Sequence, residues 1–157
     1  MAKTSDPWAP LSLPEIERKP KKIEKIDGFH IAVPLTERQI GDFATINSLI
    51  KTGGDLSPYY RRSHNSTHDK LLAEHKVMHL HLGGPGSDAL LYLVQFPEHV
   101  LLVCVDTHVH VDDVPPGKKL PMYKISQAKN LLKSQHEARK AAVAQSLKRL
   151  VRKKTDD

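Results

Sequence analysis

One cysteine in 157 residues excludes an intrachain disulfide, and Cys104, set in the apolar run VLLVCV, reads as a small buried thiol. Aromatic residues make up only 5%, and 11 prolines accompany them, so part of the chain is expected outside the core. The 39% hydrophobic and 27% charged residues still exclude a wholly disordered protein. No apolar run approaches the ~18–20 residues that span a bilayer, and the N-terminus lacks the basic, apolar and small-residue order of a signal peptide. A soluble, cytoplasmic chain with no membrane partner is expected, its length suiting one compact domain with extensions.

Acidic residues nearly vanish after Gly117. That segment holds 12 Lys+Arg against 3 Asp+Glu, a net of +9, whereas residues 1–117 hold 12 against 15, a net of −3, which together make the +6 of the whole. Such a tail suits nucleic acid, ribosomal RNA, an anionic surface or an acidic protein, and it also suits a solvated helix with no partner. Glycine and proline are absent from Met122 to Asp157. Ile125, Ala128, Leu132, Val143, Leu147 and Leu150 recur at helical spacing there, so a basic helix is predicted from about 125 to 152, interrupted in its apolar face by KSQHE.

Residues 1–27, with Pro7, Pro10, Pro14, Pro20 and the charged ERKPKKIEK, read as a flexible arm. Phe29 to Leu35 reads as a short strand. Thr36 to Gln39 then has the form of a capping box, and Ile40, Phe43, Ile46 and Ile50 predict a helix stopped at Gly53-Gly54. Residues 55–76 are polar and basic. Three apolar runs follow, KVMHLHL, DALLYLVQF and HVLLVCVDTHVHV, joined by GGPGS and PE, which predict an antiparallel meander. The expected fold class is α+β, a small antiparallel sheet with an N-terminal helix plus a long basic C-terminal helix. Its expected division is an arm at 1–27, a folded domain at 28–113, and a proline-glycine linker with a helical tail at 114–157.

The meander gives the histidines a common address. Alternation puts His79 and His81 on one face of their strand and His108 and His110 on one face of theirs. Up-down-up topology brings His81, Asp88 and His108, with His79 and His110, to one end of the sheet. Imidazoles and a carboxylate at a sheet end serve proton transfer, divalent metal binding or an ordinary rim, and the residues alone leave the three open. Neither a metal nor a cofactor is assigned, because no Cys/His finger spacing is present. MHLHLGG lacks the third alternating histidine of a nucleotide hydrolase signature, since Val77 and Gly83 stand at the flanking places.

The order strand, helix, basic linker and three-stranded meander resembles the RelE-like toxin superfamily, and within it the YafO-type branch. MHLHL at 78–82, LLYLV at 90–94 and VLLVCVDTHVH at 100–110 carry the resemblance, which covers about residues 29 to 112. It implies a toxin held silent by a cognate antitoxin, acting with the ribosome as an mRNA endoribonuclease that cleaves without metal. His81 and Asp88 resemble the family's active-site pair, and His108 its C-terminal histidine, with His79 and His110 beside them as further catalytic candidates. Arg61, Arg62, Lys70 and Lys76 of the linker, and Lys148, Arg149 and Arg152 of the tail, are candidate RNA contacts. Many relatives follow the second-strand tyrosine with arginine, whereas Leu93 follows Tyr92 here. A non-catalytic protein on the same fold, inhibiting a replication or translation partner, is the competing expectation.

Overall fold

The computed structural model describes residues 6–60, 70–84 and 86–155. Strand β1 (Lys22–Lys25) precedes helix α1 (Glu37–Thr52), a 3-10 turn (Ser57–Tyr59) and the short helix α2 (Lys70–His75). Strands β2 (Val77–Leu82), β3 (Ala89–Gln95) and β4 (His99–Asp106) follow, then the single turn α3 (Val109–Asp112) and the long helix α4 (Met122–Thr155). The predicted meander is present, with β2–β3 and β3–β4 antiparallel. The sheet as a whole is mixed rather than antiparallel, in the order β1-β4-β3-β2, because β1 runs parallel to β4.

That fourth strand comes from the segment read as a flexible arm. Lys22, Glu24 and Lys25 are the charges expected of an edge strand, which discourages further pairing by carrying them, so the composition that suggested solvation also fits an edge. Upstream, Trp8 is buried against Phe96 and His99, and Ile16 and Ile26 join the core. A buried polar knot fastens this segment. The Lys21 ammonium donates to Gln95 Oε1 at 2.8 Å, to the Phe96 carbonyl at 2.8 Å and to Glu17 at 2.9 Å. Gln95 completes the knot by accepting from the Glu17 backbone N–H and donating to the Glu15 carbonyl. Burial lowers the Lys21 pKa, and Glu17 opposes that shift.

The strand predicted at 29–35 reduces to one parallel bridge, Ile31 to Val105. His30 and Ala32 take up the Val105 backbone groups, and Pro34 and the cap at Thr36 leave no length for more. Helix α1 matches its capping box on both sides: Gln39 N–H donates to Thr36 Oγ1, and the Thr36 N–H donates to Gln39 Oε1. Gly53 closes it in the left-handed conformation. Ile46 and Ile50 of α1 cover one face of the sheet, over Met78, Leu80, Leu91 and Leu93. The other face carries Val77, Leu90, Tyr92 and Val94, against which Ile125, Ala128 and Leu132 of α4 pack. The helix continues without a break through KSQHE, and every residue from Lys133 to Arg152 is exposed. Among the described residues, no helix is long and apolar enough to cross a membrane.

Gln95→Leu leaves the buried Lys21 ammonium without one acceptor and frees the Glu17 N–H. It is expected to lower stability by about 3 kcal/mol, read by urea denaturation. A loss below about 0.5 kcal/mol would mean that the knot does not fasten the N-terminal segment.

A candidate acid–base site at one end of the sheet

The site begins where β2 leaves the sheet. Strand alternation turns His79 and His81 to the α4 side, with ring centroids 5.4 Å apart. The register sets His81 opposite Leu90 and His79 opposite Tyr92. The turn after Leu82 reverses the chain on Gly83 and Gly84, both at positive φ. A side chain at Gly84 would strike the Arg38 guanidinium, since an added Cβ lies 2.6 Å from it. The first turns of α1 hold this reversal: Asp42 accepts from the Gly83 N–H at 2.7 Å, and Gln39 donates to Ser87 at 2.7 Å. Asp88 follows directly.

Strand β4 returns to the same end but stops at Asp106, so His108 and His110 do not share a strand face as expected. His108 precedes α3 and His110 lies within it, and a helical turn sends the two rings in different directions. His108 Nδ1 hydrogen-bonds the Asp88 carboxylate, and the same carboxylate oxygen accepts from the His108 backbone N–H at 3.0 Å. The His108 and Asp88 side chains retain 38% and 60% exposure, so the pair faces solvent. The His81 ring lies 5.6 Å from that of His108. The hydrogen bond from His108 holds the Asp88 carboxyl below the usual carboxylate range.

His110 turns inward. Its ring packs edge-on against Tyr92 at 4.9 Å, and its Nε2 lies 3.0 Å from Asp106 Oδ2. Asp113 stands 3.9 Å from its other nitrogen, and Lys119 stands 3.9 Å from Asp113. With 8% of its side chain exposed, His110 braces the turn that carries His108 and is out of reach of a polymeric substrate. The Tyr92 hydroxyl donates to the Thr107 carbonyl at 2.5 Å, and burial pushes its pKa up, so it acts as a fixed donor. Asp106, Asp113 and Tyr92 are site residues that the sequence pattern does not single out. The D-x-x-x-H spacing of Asp106 and His110 was the available signal, visible only once a helical turn replaces the end of the strand.

The rings of His108, His81, His79, Tyr92 and His110 thus form one row, exposed at the His108 end and buried at the His110 end. Lys70 opens α2 and is exposed, and Lys76 follows its last residue and is half-buried. Lys76 holds φ 61 and its ammonium approaches the Ala73 carbonyl, a helix-ending role. Arg61 and Arg62 lie outside the described residues. Lys148, Arg149 and Arg152 lie on the exposed stretch of α4, beyond the part that packs on the sheet. Among the described residues, no three His, Cys, Asp or Glu side chains converge as a metal-holding group. Burial raises the Cys104 thiol to about 12, which removes it as a nucleophile at neutral pH.

No protein-family model, curated protein or solved structure matches this chain. A carboxylate on Nδ1 fixes the His108 tautomer with Nε2 free to take a proton, and it stabilises the imidazolium that results. A second imidazole, that of His81, is half-buried beside it with Nε2 enclosed, which leaves Nδ1 as the nitrogen for any proton exchange.

Because the folded pKa of Asp88 is lowered, its contact with His108 stabilises the protein above the unfolded carboxylate value of ~3.9 and is lost as pH falls through the folded value. Asp88→Asn is expected to flatten the fall of stability with acid in that window and to remove at pH 7 the small stabilisation that the exposed contact supplies there. Parallel acid titrations of the two proteins, followed by circular dichroism, check this; superimposable acid limbs would contradict it.

Proposed function

We propose that this chain is a RelE-like, YafO-type toxin of a bacterial toxin–antitoxin pair, a cytoplasmic mRNA endoribonuclease that works with the ribosome and without a metal. The observation that supports the reading is the pair of imidazoles, half-buried His81 and solvent-facing His108, with ring centroids 5.6 Å apart at one sheet end and Asp88 on His108. In this reading His108 takes the proton of an RNA 2′-hydroxyl. The 2′-oxygen attacks the adjacent phosphorus, and the bond to the 5′-oxygen breaks. His81 donates the proton that leaves with the 5′-hydroxyl, and a 2′,3′-cyclic phosphate remains on the other fragment. Asp88 orients His108, His79 backs His81, and His110 holds the turn. Phosphate charge falls to Arg61, Arg62, Lys70 and Lys76.

Leu93 favours a second reading. It is fully buried in the layer under α1, so no cation follows Tyr92, and a non-catalytic toxin-fold protein that blocks a replication or translation partner needs none. Brief induction followed by primer extension on cellular messages separates the two. The enzyme reading expects discrete new 5′ ends that disappear in the Asp88→Ala, His108→Ala double variant. Growth arrest with no new ends, retained by that variant, would favour the interaction protein.

On purified components, His81→Ala and His108→Ala are each expected to slow cleavage by roughly 10²–10⁴-fold. Cleavage of free RNA is expected to persist in EDTA. Activity lost on chelation and restored by zinc would overturn metal-independent acid–base chemistry.

A further inference from the structure

Helix α4 has two unlike halves. Up to Leu132 one face of it, Met122, Ile125, Ala128 and Leu132, packs on the sheet while Tyr123 and Leu131 stay exposed, and the His136 ring meets Trp8 at 5.8 Å. Beyond that contact the helix runs on, exposed at every residue through Arg152, for roughly 24 Å. Ala138, Ala141, Ala142 and Ala144 are strong helix formers, which favours the helix over this exposed length. The exposed half is not uniformly polar. Val143, Leu147, Leu150 and Val151 are 59%, 58%, 60% and 63% exposed, and their spacing gathers them on one face. That face continues the line of Ile125, Leu132 and His136, which the body already covers. Arg139 and Lys140 flank its start, and Lys148, Arg149 and Arg152 occupy the rest of the circumference, while Glu137 is the lone acidic residue between Met122 and Thr155.

Charge and apolar pattern together choose among occupants. A second copy of this chain would bring two strongly cationic helices side by side, which opposes pairing. RNA takes the lysines and arginines but has no use for four apolar side chains on one face. A lipid surface takes a basic amphipathic helix, but this one has no Trp, Phe or Tyr after Tyr123 to seat in the headgroup layer. An acidic amphipathic helix from another protein satisfies both features, with apolar residues at 3–4 spacing against Val143, Leu147 and Leu150, and carboxylates against the flanking cations.

We infer that the exposed half of α4 is a docking surface for an acidic, amphipathic helical segment of a protein partner. The inference does not depend on RNA cleavage.

The test uses the full chain and a synthetic helical peptide with Leu at 3–4 spacing and Glu on its flanks, beside a peptide of the same composition scrambled to lack an apolar face. The patterned peptide is expected to bind at least tenfold more tightly than the scrambled one by fluorescence anisotropy. A Leu147→Ser, Leu150→Ser variant, with helix content checked by circular dichroism, is expected to lose that advantage. Equal binding of the two peptides would overturn the inference, as would an unchanged preference in the variant. Anionic phosphatidylserine vesicles or a single-stranded RNA oligomer that bound the chain and lost at least tenfold in affinity through the two serines would also overturn it. So would a dimer in sedimentation that the serines abolish.

Discussion

The confinement of β3 governs everything else in this molecule. It is paired on both edges and covered on both faces, and all its residues from Ala89 to Gln95 are buried. A slip of one residue would turn Leu91 and Leu93 out of the α1 layer and carry Leu90 and Tyr92 into it, so the register is strongly held. That register puts His81 beside Leu90, starts β3 directly after Asp88, and sets Asp106 opposite Leu90. The three chain segments of the candidate site therefore meet at one end of the sheet because of apolar packing below it. A bulge refines the placement. Tyr92 pairs with Cys104 and Leu93 with Leu102, so Val103 is an extra residue in β4, and both Val103 and Cys104 lie in the α4 layer.

The histidines divide their work by depth. His108 keeps solvent access and a carboxylate on Nδ1, the arrangement of a proton-transfer group. His110, two residues on, is enclosed by Tyr92, Asp106 and Asp113 and holds the turn in place. At the far end of the sheet, His99 is buried under Trp8, and burial lowers its pKa, so it packs as a neutral ring. Three histidines close in sequence thus hold three different environments, set by which element each one ends or begins.

Much of this was legible in the residues. The capping box and Gly53 bounded α1 because caps are local chemistry, and the turn residues marked the meander for the same reason. Meander parity alone brought His81, Asp88 and His108 together. The failures share a different cause. Lys22–Lys25 was hidden as a strand because its partner lies more than 70 residues away and its charges are those of an edge. The buried roles of Trp8 and Lys21 depend on Gln95 and Phe96, equally remote in sequence. The alternation of THVHV points to a strand at His110, whereas the Asp106 carboxylate and the Tyr92 ring favour a helical turn there.

The proposed RNA cleavage requires a 2′-hydroxyl acting as the nucleophile between two imidazoles. End-group analysis of the cleaved RNA by mass spectrometry tests this most directly, because the nucleophile dictates the termini. The proposed chemistry leaves a 2′,3′-cyclic phosphate on one fragment and a 5′-hydroxyl on the other. A 3′-hydroxyl paired with a 5′-phosphate would identify water as the nucleophile and would contradict it.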